Sequence, residues 1–137
     1  MNEFDEQVKR ISAVLTKNLN VNSRNLKTYL KYLKENIEFP CQLTGAEDFQ
    51  WEEYYIFGPG SKTEYKELKK TRPSFTDDYE LTGFDDFDEM YGILVNVKRI
   101  SDNLEFTLPL VDLKATNEKS KNYRLLDDYS VWFVNYR

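Results

Sequence analysis

The stretch ILVNVKRISDNLEFTL, residues 93 to 108, decides the fold. Ile93 to Ile100 alternates apolar with polar from Leu94 onward once Val95 is counted as a buried neighbour. Asp102-Asn103 is a turn signal, and Leu104 to Leu108 reads as the returning strand. Downstream, Leu110, Val111 and Leu113 continue into another short strand. After the polar break NEKSKN the last run reads as a strand too, with Tyr129, Val131, Phe133 and Asn135 on one face and Ser130, Trp132, Val134 and Tyr136 on the other.

Upstream of the hairpin the β pattern reaches back to Phe39–Leu43, a first strand ended by Thr44-Gly45. The aromatic run WEEYYIF, Trp51 to Phe57, follows the same pattern and stops at Gly58-Pro59-Gly60. Ser61 with Glu64 makes a capping box, which predicts a short helix over residues 62 to 70 with Tyr65 and Leu68 inward, the alternative being an irregular loop because the segment is short and Lys-rich. The GPGSKT segment has neither the third glycine of a dinucleotide fingerprint nor the spacing of a P-loop, and it reads as a turn.

Earlier still the spacing is helical. Phe4, Val8, Ile11, Val14, Leu15 and Leu19 make an amphipathic helix over 3–19 that Asn2 caps. Leu26, Tyr29, Leu30, Leu33 and Ile37 repeat the pattern behind Ser23, with Lys27, Lys31 and Lys34 on a solvated face. That helix ends before Pro40. The expected fold is therefore α+β in one domain: an N-terminal helical hairpin over 1–37, then a β-rich region over 38–137 built as a small, strongly bent antiparallel sheet or SH3-like barrel.

The charge is localised. The chain has 24 acidic residues against 19 Lys plus Arg, for a net −5, and seven of the acids fall in DDYELTGFDDFDE, residues 77 to 89. That stretch holds no basic residue, so 17 acids face 19 bases elsewhere and the rest of the chain is +2. Like charges this close repel within a Debye length of ~10 Å. A hard cation with oxygen ligands would relieve the repulsion, and Gly83 lets the backbone bend between the acidic halves. The candidate calcium ligands are Asp77, Asp78, Glu80, Asp85, Asp86, Asp88 and Glu89 in this carboxylate-rich loop, with Glu47 and Asp48 as a second source. Tyr79, Leu81, Phe84, Phe87, Met90 and Tyr91 are interleaved with the acids and can pin the segment to a core. No EF-hand register fits. Starting at Asp86 puts Met90 at position 5, Tyr91 at the glycine position and Val97 at the bidentate position, and starting at Asp77 puts Tyr79 at position 3.

Other chemistries are disfavoured. There is no histidine, which removes the commonest general base, the usual zinc ligand and every Ser-His or Cys-His pair. A pI near 4.9 disfavours nucleic acid as a partner. The single cysteine, Cys41, allows no disulfide framework and reads as a small core side chain. Neither a signal peptide nor a run long enough to span a membrane is visible, so the expected location is cytoplasmic with no membrane partner.

From Phe39 to Arg137 the chain resembles a small bacterial calcium-binding protein family, of the cyanobacterial calcium-sequestering type. The resemblance rests on FPCQLTG, WEEYYIFGPGS, EYKELKKTRPSFTDDYEL and LLDDYSVWFVNYR, and it leaves the two N-terminal helices as an extension. It implies an acidic calcium binder without catalysis, an intracellular buffer, sequestrant or sensor whose ligands are the carboxylates of the run that begins at Asp77. Glu52, Glu53, Asp127 and Asp128 join Glu47 and Asp48 as a second possible ligand set or as solubility charges. From the residues alone, an affinity of roughly 10⁻⁷ to 10⁻⁵ M is expected. The competing reading is an acidic protein-interaction module, of the immunity or antitoxin kind, docking on a basic partner. An enzyme working on a magnesium-bound phosphate ester ranks below both, because no base lies inside the acidic run.

Overall fold

A computed structural model of the chain describes residues 2–137. Helix α1 spans Glu3–Val14, with the Asn2 side chain accepting from the Asp5 amide, and α2 spans Ser23–Asn36, with Asn22 as its cap in place of the expected Ser23. Strand β1 is Gln42–Gly45. A 3-10 turn at Gln50–Glu52 then leads into the single-turn helix α3, Glu53–Ile56, and α4 follows at Lys62–Leu68 behind the Ser61 cap. Strands β2 (Asp78–Asp88), β3 (Gly92–Arg99) and β4 (Glu105–Pro109) form a meander. A second 3-10 turn, Leu110–Asp112, enters the short strand β5 (Leu113–Ala115), and α5 closes the chain at Lys121–Asn135.

The five strands form one antiparallel sheet in the order β4-β3-β2-β1-β5. The fold is α+β. Of the two sheet forms expected, the open one is found: β4 and β5 are free edges, and the sheet does not close into a barrel. One face is apolar. Tyr79, Leu81, Ile93, Val95 and Val97 lie on it and are fully or almost fully buried under α2 and α5. The other face carries Glu80, Thr82, Asn96, Lys98 and Thr107, which is the period-two division of a half-buried sheet.

Helix α5 is the main departure from expectation, because it falls where a last strand was read. Its aromatic and β-branched composition favours a strand, but Leu125, Leu126, Tyr129, Trp132 and Phe133 recur at helical spacing and all are buried. Ser120 caps the helix by accepting from the Tyr123 amide at 3.1 Å. The Trp132 ring stacks on Tyr29 of α2, with centroids 4.9 Å apart, and its indole N–H donates to the Leu19 carbonyl. The Tyr129 hydroxyl accepts from the Ile93 amide at 2.8 Å. Burying each of these large side chains stabilises the fold by roughly 1.5–3 kcal/mol, which outweighs local propensity of a few tenths per residue. The aromatic run 51–57 likewise forms no strand.

Helix α1 is shorter than the expected 3–19. It meets α5 through Ile11 and a polar contact: Arg10 holds Asp128 through its Nε and Nη2 at 2.7 and 2.9 Å, while Gln7 donates to both Asp127 and Asp128. Asp128 is 4% exposed, so its charge is balanced by Arg10 inside the structure.

Candidate functional site: two sets of carboxylates

The expected acidic loop is a strand. Residues 78 to 88 make β2, the longest strand of the sheet, and its two irregularities fall at Leu81/Gly83 and Phe84/Phe87. At the second, Asp85 and Asp86 together face a single residue, Leu94, of β3. An extra residue of this kind leaves backbone donors unpaired. Here the carboxylates accept them: Asp85 takes the Asp86 amide at 2.9 Å and Asp86 takes the Phe87 amide at 2.8 Å. Asp88 accepts from the amides of Met90 and Tyr91 and so shapes the turn into β3. Glu89 accepts from the Ser23 hydroxyl at the N-terminus of α2, where a negative charge is favourable.

The first carboxylate of the run is also engaged. Asp77 accepts from Arg99 Nη1 at 3.0 Å and from the Ser74 amide at 3.0 Å. Arg99 is 3% exposed. Its remaining donors go to Asp102 and to the carbonyls of Lys69, Lys70 and Arg72 just past α4. The guanidinium thus serves as a built-in cation for the start of the acidic run, and its own pKa is raised, first by the Asp102 hydrogen bond. Next to this group lies Glu52, fully buried, which accepts from the amides of Phe49 and Phe75 and from the hydroxyls of Ser74 and Tyr65. Burial and the Glu52 bond push the Tyr65 hydroxyl up to about 12. These contacts explain why WEEYYIF coils: its second residue is an anchor for the backbone on both sides.

Asp78 and Glu80 stand apart. Asp78 is exposed opposite Thr44 of β1, and Glu80 faces Lys98 across the outer side of the sheet. The nine candidate ligands therefore divide. Asp77, Asp85, Asp86, Asp88 and Glu89 hold the fold's own donors, while the carboxylates of Asp78, Glu80, Glu47 and Asp48 accept no hydrogen bond among the described residues.

Glu47 and Asp48 belong to a different place. They sit on one wall of a cleft of about 690 Å³ between the loop after β1, the 3-10 turn before β5, and α5. Asp112 and Asp127 also line it, with Lys114 and Arg137 as its bases. Asp112 is half-buried; its backbone carbonyl accepts from the Ala46 amide at 2.9 Å, and its carboxylate has no hydrogen bond or ion pair among the described residues. Desolvation, and then the nearby charge of Glu47, raise its carboxyl above the ordinary value. The sequence reading missed Asp112, a lone acid in an apolar run that only the fold carries next to Glu47. Cys41 is buried elsewhere, its thiol pushed up to about 11 by desolvation, which matches a core side chain.

With this geometry the neighbours can be named. The chain folds like Anabaena CcbP. The two align with a TM-score of 0.61 at 15% identity over 96% of this chain and 92% of that one. A second structure, described as a calcium binding protein in the calcium-binding form, aligns with a TM-score of 0.58 at 15% identity over 98% and 96% of the two chains. The likeness is one of fold, and its extent brings in the N-terminal helices that the sequence resemblance left out. No protein-family model matches the chain, and no curated protein sequence matches it.

The oxygen donors fit a hard cation in kind, but among the described residues no three acidic side chains are gathered closely enough to hold a metal ion. An ion at the cleft would need side-chain rotation of Glu47, Asp48 and Asp112, with water and carbonyl oxygens completing its shell.

Proposed function

We propose that the protein binds calcium as a non-enzymatic buffer, sequestrant or sensor, and that Glu47, Asp48 and Asp112 at the cleft are its leading ligands. The observation that carries this reading is the Asp112 carboxyl: half-buried, unpaired and pushed up by desolvation and by Glu47, it is relieved by a cation placed between the two. The fold shared with two neighbours, one of them described as calcium-binding, supports it. Of the acidic strand, Asp78 and Glu80 stay in the proposal as weaker ligands, since their carboxylates accept no hydrogen bond among the described residues. Asp77, Asp85, Asp86, Asp88 and Glu89 are ranked below them, because Arg99, the bulge and turn amides and Ser23 already occupy one oxygen of each. Residues 1–137 act as one unit in this reading, because α1, α2, α5 and the sheet share one buried cluster. The location is taken as cytoplasmic.

Calorimetric titration of chelator-stripped protein with CaCl₂, run beside MgCl₂ in the same salt, tests the proposal. Saturable heat with calcium that magnesium does not reproduce, together with a rise in melting temperature, is expected. No heat and no shift would end it.

A further inference from the structure

The cleft offers more than carboxylates. Val111, Leu126, Val131, Phe133 and Val134 are among its lining side chains, and Val134 is 63% exposed on the last turn of α5. Next to the cleft, Met90 and Tyr91 at the β2–β3 turn are 64% and 52% exposed. Arg137 ties that turn to the end of α5 by donating to the Met90 carbonyl at 2.9 Å, and its guanidinium lies 4.5 Å from the centre of the Phe133 ring. Exposed apolar side chains thus run from the cleft onto the tip of the acidic strand. The charge around them is net negative, with Glu47, Asp48, Asp112 and Asp127 against Lys114 and Arg137.

A cleft that sets apolar side chains beside a net-acidic lining is complementary to one kind of partner. We propose that this groove docks a basic amphipathic helix of another protein, its apolar stripe seated against Val111, Val131 and Val134 and its Lys or Arg side chains meeting Glu47, Asp48 and Asp127. Three features favour this occupant. A volume of about 690 Å³ takes several side chains, which is the scale at which a helix face anchors by its i, i+3 and i+4 residues. The carboxylates stand where charges flanking the apolar stripe of such a helix would fall, so they steer approach and fix orientation. A nucleic acid or an anionic lipid surface is disfavoured by the net negative charge of the same lining. The proposal uses carboxylates that also serve the calcium reading but does not depend on it, since the groove's complementarity exists without an ion.

The test uses the full chain, ¹⁵N-labelled, in EDTA, titrated with a synthetic Leu/Lys amphipathic helix, and with a control peptide in which Glu replaces every Lys. Amide shifts in 46–48, 111–114 and 123–137 with the basic peptide alone are expected. Val134→Lys, a change at an exposed position, should weaken binding about tenfold. Glu47→Gln with Asp127→Asn should weaken it by a similar factor and flatten its salt dependence. Asp85→Asn with Asp86→Asn should leave it unchanged. Shifts confined to 78–89, equal binding by Val134→Lys, or no binding by the wild type would each overturn the proposal. Because no calcium is present, any of these results leaves the calcium reading to be decided by its own titration.

Discussion

Two acidic regions of this molecule behave oppositely. The carboxylates of 77–89 are dense in sequence, yet the fold spreads them along a strand and occupies most of them with its own donors: Arg99 at one end, bulge and turn amides in the middle, and the α2 N-terminus at the other. Glu47, Asp48, Asp112 and Asp127 are scattered over eighty residues, yet the fold brings them to one cleft, where Gln7 donates to Asp127 and the carboxylates of the other three accept no hydrogen bond among the described residues. Density along the chain signals where charge is tolerated. Convergence in space signals where charge is available.

The largest effect that probes this contrast is at Arg99. Replacing it by Met should destabilise the fold by about 3–5 kcal/mol, because Asp77 and three backbone carbonyls lose their donor inside the structure. Urea unfolding measures it. A loss below ~1 kcal/mol would mean that the acidic run is not held by a built-in cation. Glu52→Gln should follow at about 2 kcal/mol, since with its oxygen kept on the Phe49 and Phe75 amides its Nε2 would face the Ser74 and Tyr65 hydroxyls that donate to the carboxylate.

Next in size is the calcium comparison. Glu47→Gln with Asp112→Asn should lower calcium affinity about tenfold, ~1.4 kcal/mol. Asp85→Asn with Asp86→Asn should change it by no more than about twofold, since those carboxylates already serve the bulge. The reverse ranking, read by calorimetry, would return the site to the dense run.

The smallest effect is a pH dependence. The folded state raises the Asp112 carboxyl, so ionising it costs stability. That cost is fully present above the folded value and disappears below the unfolded one near 3.8. Asp112→Asn should therefore be slightly more stable than wild type at neutral pH and equal to it in acid. An advantage that persists in acid would assign the gain to packing instead.

Much of this was legible in the residues. The two N-terminal helices, the Ser61-capped helix, the hairpin of β3 and β4 and the turn at Asn103, whose φ is +64°, follow from periodicity and local turn chemistry. Those signals act over a few residues. What escaped was set from far away. α5 is a helix because Tyr29 and Ile93 receive its aromatics, and 51–57 coils because Glu52 anchors Phe75, 23 residues on. The candidate site divided the same way: Glu47 and Asp48 could be named as acids, but the Asp112 beside them is an ordinary residue until the sheet brings β5 next to β1.

The Glu52 and Arg99 contacts bear on the order in which the chain folds. β2, β3 and β4 are joined by turns of three and five residues, whereas β1 reaches β2 only after the 32 residues from 46 to 77 have been closed into a loop. Closing a loop of that length costs entropy before any contact rewards it. The meander is therefore expected to condense first, with the segment that carries α3 and α4 docking late, held by the buried Glu52 and Arg99 side chains. Changes at Glu52 would then act almost wholly on the unfolding rate, while changes at Val95 or Val97 would slow refolding. The cleft wall at Glu47 belongs to that late-docking segment, so in this order the proposed binding surface is completed only when the whole chain has folded.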